Sequence, residues 1–132
     1  MELTEWTIAY IDNLNAFRHD LISKSIKKRE IECEYKLKGT CIYLIESDFN
    51  ESILHETKTG NIVLVGDNTK QNLAFVINNW QELIKNPKLK IIFANTTLNL
   101  QWSILPCTHN MISDPGSLKL GLKTLFEAVP EM

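Results

Sequence analysis

Two short apolar runs in this chain each end in acid. Cys41-Ile42-Tyr43-Leu44-Ile45 is followed by Glu46 and, two residues on, by Asp48, while Ile62-Val63-Leu64-Val65-Gly66 is followed by Asp67 and Asn68. Carboxylates grouped at strand ends can hold Mg²⁺ through oxygen ligands and so position a phosphate for displacement. Glu46, Asp48, Asp67 and Asn68 are therefore the candidates for a ligand or metal site. The same residue types also end strands because they make turns. Asp67-Asn68-Thr69 is moreover a helix N-cap sequence whose free amides would suit an anion, although the acidic side chain works against one.

Other residues with chemical potential are less well assembled. Cys107 and His109 sit two apart in Pro106-Cys107-Thr108-His109, which on an extended segment turns both side chains the same way without supplying further metal ligands. The remaining histidines, His19 and His55, are isolated from them. Three cysteines with no Cys-x-x-Cys make neither a disulfide framework nor a zinc knuckle and read as buried thiols in a reducing compartment. No Gly-rich phosphate loop is present in the sequence. Lys24, Lys27, Lys28 and Arg29 are predicted to cluster at the end of a first helix, where the helix dipole favours cations. They have no interleaved aromatic residue to stack on bases.

The elements that must position these residues follow from periodicity. Gly60 to Asn95 reads as one βαβ unit: an apolar strand at 62–65, a helix with Leu73, Val76, Ile77, Trp80, Leu83 and Ile84 on one face, a stop at Asn86-Pro87, and a second buried strand from Leu89 to Ala94. In such sheets ligands bind beyond the carboxyl ends of the strands, which is where the acids fall. Ahead of it, Thr4 is the expected N-cap of a long helix bearing Trp6, Tyr10, Leu14, Phe17 and Leu21, with Ile8, Ile11 and Ile22 widening the apolar stripe into a partner surface. Ile31 to Lys38 alternates as a charged edge strand, joined by a Gly39-Thr40 turn that sets Leu37 opposite Ile42. Leu98 to Leu105 is predicted as an antiparallel last strand. Asp114-Pro115 opens a final helix in which Gly121 lies on the buried face and implies close approach to a neighbour.

The expected order of helix, three strands, helix and strand resembles in topology the core of the restriction-endonuclease-like nucleases. Their Asp…Glu-x-Lys signature has its letters in Glu34-Tyr35-Lys36, but on the first of these strands, whereas the family carries it on the third. The resemblance is one of topology without the metal-binding residues, and alternating charge on an exposed edge explains the triplet.

With 132 residues, 44% hydrophobic and 23% charged, the chain is expected to form one soluble α/β domain over 1–132: a mixed sheet with an edge hairpin, one βαβ crossover and an antiparallel last strand, packed by three helices. A net charge of -2 excludes the global basic field that drives non-specific nucleic-acid binding. No apolar run reaches bilayer-spanning length, and the first residues lack the pattern of a signal peptide, so a cytoplasmic location is expected. The first functional reading is a non-catalytic binding or assembly module, acting on a protein partner or on itself as a homo-oligomer, with no cofactor and no membrane. The alternative is a Mg²⁺-dependent phosphoryl-transfer or nuclease-like enzyme using the strand-end carboxylates.

Overall fold

The structure, a computed structural model, describes the backbone of residues 1–132 and every side chain except that of Pro115. The central strands are apolar at nearly every position, so both faces of one sheet must be covered. Leu64, Ile91 and Phe93 point to one side, and Val63, Val65, Ile92 and Ala94 to the other. The sheet has six strands in chain order: β1 (Leu21–Ile26), β2 (Glu30–Tyr35), β3 (Gly39–Ile45), β4 (Ile62–Asp67), β5 (Lys90–Asn95) and β6 (Leu100–Ile104). β1, β2 and β3 form an antiparallel meander, β3, β4 and β5 run parallel, and β6 returns antiparallel to β5.

One face is packed by helix α1 (Leu3–Arg18), through Leu3, Trp6 and Ile11. The other carries α2 (Ser52–Glu56), α3 (Lys70–Asn78), α4 (Trp80–Leu83) and α6 (Leu118–Glu127), with α5 (Pro106–Ile112) packed beside α4 and a 3₁₀ turn at Pro115–Ser117 leading into α6. The α/β class, the mixed sheet, the crossover into β5 and the antiparallel last strand are as predicted. Six helices replace the expected three, and α2 adds a second parallel crossover between β3 and β4.

Four local expectations are corrected. α1 starts at Leu3 with Glu2, not Thr4, at its N-cap, and it ends at Arg18 because His19 adopts the left-handed conformation at φ 53°. Asn15 Oδ1 then accepts the amide of Leu21 at 3.0 Å. The residues expected to continue the helix form strand β1 instead, which puts Lys24 on a strand and makes the crossover strand β4 the fourth in the sheet. The β2–β3 hairpin pairs Tyr35 with Gly39 and Cys33 with Cys41, not Leu37 with Ile42. Its loop is the three residues Lys36-Leu37-Lys38 closed by Gly39 at φ 75°, the left-handed position that glycine supplies in such loops. The crossover helix breaks at Asn79 into α3 and α4, and Trp80, buried on α4, donates its indole N–H to Asn110 Oδ1 at 3.0 Å. Gly121 has open space where a Cβ would stand; the close approach belongs to Gly66, whose missing Cβ would lie 2.6 Å from Phe49 Cζ and 2.8 Å from the carbonyl oxygen of Glu46.

Candidate functional site

The carboxyl ends of β3, β4 and β5 carry the predicted site residues, and the loops there are tied together by asparagines. Asn72, on the first turn of α3 behind the Thr69 cap, accepts the Phe49 amide on Oδ1 at 2.8 Å and donates from Nδ2 to the carbonyls of Ser47 at 2.7 Å and Asp67 at 2.8 Å. It joins the loop after β3 to the end of β4. Asn68 is fully buried, accepts the Trp102 indole N–H at 2.7 Å, and donates to the carbonyls of Val129 at 3.0 Å and Pro130 at 3.2 Å. Asn95 donates to Pro130 as well, at 3.0 Å, and the Met132 amide donates to the Asn68 carbonyl at 3.0 Å. The segment from Val129 to Met132 is thereby laid across the ends of β4 and β5, where an α/β sheet ordinarily admits its ligand.

The four candidates do not act as a unit. Asn68 has its amide committed to structural bonds and is removed from the ligand set. Glu46 faces Arg29, with Oε1 3.2 Å from the guanidinium, and lines with Asp48 a cleft of about 410 Å³ beside the start of α1. Asp67 is half-buried, and burial first, then the charge of Asp48, raises its carboxyl above the ordinary range. So Asp48 and Asp67 are electrostatic neighbours while Glu46 is engaged elsewhere. Among the described residues no three His, Cys, Asp or Glu side chains gather in a metal-holding group. Cys107 and His109 lie on helix α5, where a spacing of two turns them apart, and His109 stacks edge-on against Trp80 at 6.0 Å between centroids.

The proposed partner surface also divides. Ile11 is 1% exposed, in the core beneath α1, and cannot meet a partner without unfolding the helix face, while Ile8 packs partly against the same cluster and stays half-buried. Ile22 is 64% exposed, but on β1 rather than on α1. β1 pairs only with β2 and is an edge of the sheet. Its one charged residue, Lys24, is turned onto α1 and bonded to Asp12 Oδ1 at 2.6 Å, leaving Ile22, Ser23, Ser25 and Ile26 exposed.

Sequence reasoning missed Asn72, Asn86 and Asn95. Asn86 is 3% exposed and donates to the carbonyls of Thr57 at 2.9 Å and Gly60 at 3.0 Å. For Asn86 and Asn95 the signal was an asparagine at the end of an apolar strand or helix, a position where a short amide satisfies loop backbone that would otherwise be buried without partners; Asn72, inside the first turn of α3, had no such signal. Comparison with protein-family models, with curated proteins and with solved structures returned no match.

Proposed function

We propose that the chain is a non-catalytic assembly module that associates with a second copy of itself through strand β1. The observation that carries this reading is the chemistry of that edge. Edge strands are ordinarily guarded by outward charge, proline, a β-bulge or a covering element; β1 breaks register only between Leu21 and Ser23, its one charge is spent on Asp12, and Ile22 and Ile26 are exposed. An antiparallel pairing of β1 with its own copy is self-complementary, as a two-fold dimer requires, and would run the sheet continuously through both protomers. The cytoplasm suits such a module, because its three free thiols stay reduced there. No helix among the described residues is long and apolar enough to cross a membrane.

Sedimentation across a concentration series tests the reading. A dimer is expected for the unmodified chain, and Ile22→Lys with Ile26→Lys should yield monomers whose thermal unfolding is unchanged, since exposed substitutions typically shift stability by less than about 0.5 kcal/mol. A chain that remains monomeric at the highest concentrations would overturn it.

The second reading, a Mg²⁺-dependent phosphoryl-transfer or nuclease-like enzyme, is favoured by one observation, the charge of Asp48 acting on the half-buried Asp67 carboxyl. A metal bound between them would return the Asp67 carboxyl toward its ordinary pKa, and an NMR titration with and without Mg²⁺ reads that directly.

A further inference from the structure

At the amino ends of the parallel strands, opposite the asparagine-tied loops, the last turn of α1 overhangs a cavity of about 190 Å³. Four of the residues lining it are cations, Arg18, Lys38, Lys88 and Lys90, and none is an acid. The chain as a whole has the reverse balance, with 16 acids against 14 bases. Five other cations, Lys24, Lys27, Arg29, Lys85 and Lys123, sit within ion-pair distance of a carboxylate. Among the described residues the four around the cavity have no such partner. Like charges so gathered repel one another, and an anion between them relieves that repulsion.

The cavity is also organised in advance. Lys90 donates to the Tyr10 hydroxyl at 3.2 Å, and its ammonium stands 5.8 Å from the centre of that ring, which holds it at the rim. Tyr35, Tyr43 and Cys41 form a polar part of the wall. α1 presents its carbonyl end here, an adverse partial charge of about one half, against four full positive charges.

We propose that this cavity binds a small oxyanion of the phosphate class, either inorganic phosphate or the phosphate of a small monoester. Arginine offers a planar fork of donors matched to such oxygens and lysine a mobile point charge, while the tyrosine hydroxyls add neutral donors. Burial pushes the Cys41 thiol up to about 11 and the Tyr43 hydroxyl higher still, so both stay protonated and donate. The wall thus offers donors and no thiolate nucleophile, which suits binding rather than group transfer. The inference goes beyond the assembly reading and does not rest on it, because the cavity lies under α1 and not on the β1 edge.

The test is an NMR titration of the full chain with inorganic phosphate, sulfate, glycerol phosphate and a short oligonucleotide at constant ionic strength, with chloride as the control salt. Saturable shifts at the amides of Cys41, Asn61 and Lys90 are expected with at least one phosphate compound, and the comparison of phosphate with its monoester identifies the source. Lys90→Gln should weaken binding by about tenfold or more, the loss of one charge-assisted contact. Because Lys90 also supports Tyr10, the exposed pair Lys38→Gln and Lys88→Gln is the second variant, expected to weaken binding without altering thermal stability. No saturable shift with any phosphate compound would overturn the proposal. So would shifts that are equal in the unmodified chain and in both variants, or binding of an oligonucleotide alone.

Discussion

The indole of Trp102 donates to the side-chain oxygen of Asn68 at 2.7 Å while its ring lies stacked on Phe93, 4.1 Å between centroids and 4° from parallel. One tryptophan on the last strand therefore fixes both the middle of the core and the turn that ends β4. Through the other half of the same amide the turn holds Val129 and Pro130. A residue whose position suggested ligand binding is instead the knot that ties three separate segments of the chain.

Replacing Asn68 by alanine should accordingly destabilise the fold strongly. The stranded indole N–H alone costs about 1–3 kcal/mol when buried without a partner, and the tail contacts add to that. Chemical denaturation of Asn68→Ala, Trp102→Phe and the double variant forms a thermodynamic cycle, in which a coupling of about 0.5–3 kcal/mol is expected for residues in contact. Strict additivity would mean that the bond contributes nothing.

The two glycines should respond in opposite directions to alanine. Gly66→Ala drives a methyl group toward the Phe49 ring and the Glu46 carbonyl, and overpacking of this kind costs about 1–3 kcal/mol. Phe49 cannot swing away without disturbing Phe75 and Phe93, which it meets edge-on at 5.9 and 5.7 Å. Gly121→Ala enters open space within α6 and should stabilise by up to about 1 kcal/mol through helix propensity. Midpoints of urea unfolding decide both signs, and a loss at Gly121 would restore the close contact that its place on the stripe implied.

Asp67 should make the protein less stable as pH rises. Burial, assisted by Asp48, lifts its carboxyl above the ordinary value of 3.8, so the folded state prefers the protonated form. The stability this gives is complete below the unfolded pKa and is lost as pH climbs through the raised folded pKa. Unfolding free energies measured on either side of the carboxylate range should therefore differ less in Asp67→Asn than in the unmodified chain. An identical pH dependence in the two proteins would show that the carboxyl gains nothing from protonation in the fold.

Much of the architecture is written in local pattern. The continuous apolar runs at 62–65 and 91–94 specify strands covered on both faces because a central parallel strand buries its side chains on both sides. Thr69 caps α3, accepting the Asn72 amide at 3.2 Å, because a hydroxyl beside an apolar repeat satisfies an amide that the helix leaves free. β1 was not legible, since Leu21 and Ile22 continue the spacing of α1 and nothing local announces that His19 turns left-handed. The helix stops there because Asn15 and β2 offer the backbone better partners than another turn would.

The site divides along the same line. Residue type and position along the chain determined that acids and amides stand at the carboxyl ends of the strands. Whether they meet was decided between residues far apart in sequence: by the contacts of Arg29 with Glu46 and of Trp102 and the tail with Asn68, and by the charge of Asp48 acting on Asp67. Likewise Arg18, Lys38 and the pair Lys88 and Lys90 come from three different segments and form no cluster of four until α1 is laid over β3, β4 and β5. Periodicity reports which face of an element is apolar, because that depends on near neighbours in the chain. The company a polar group keeps is set by the packing of whole elements, and only the tertiary structure decides it.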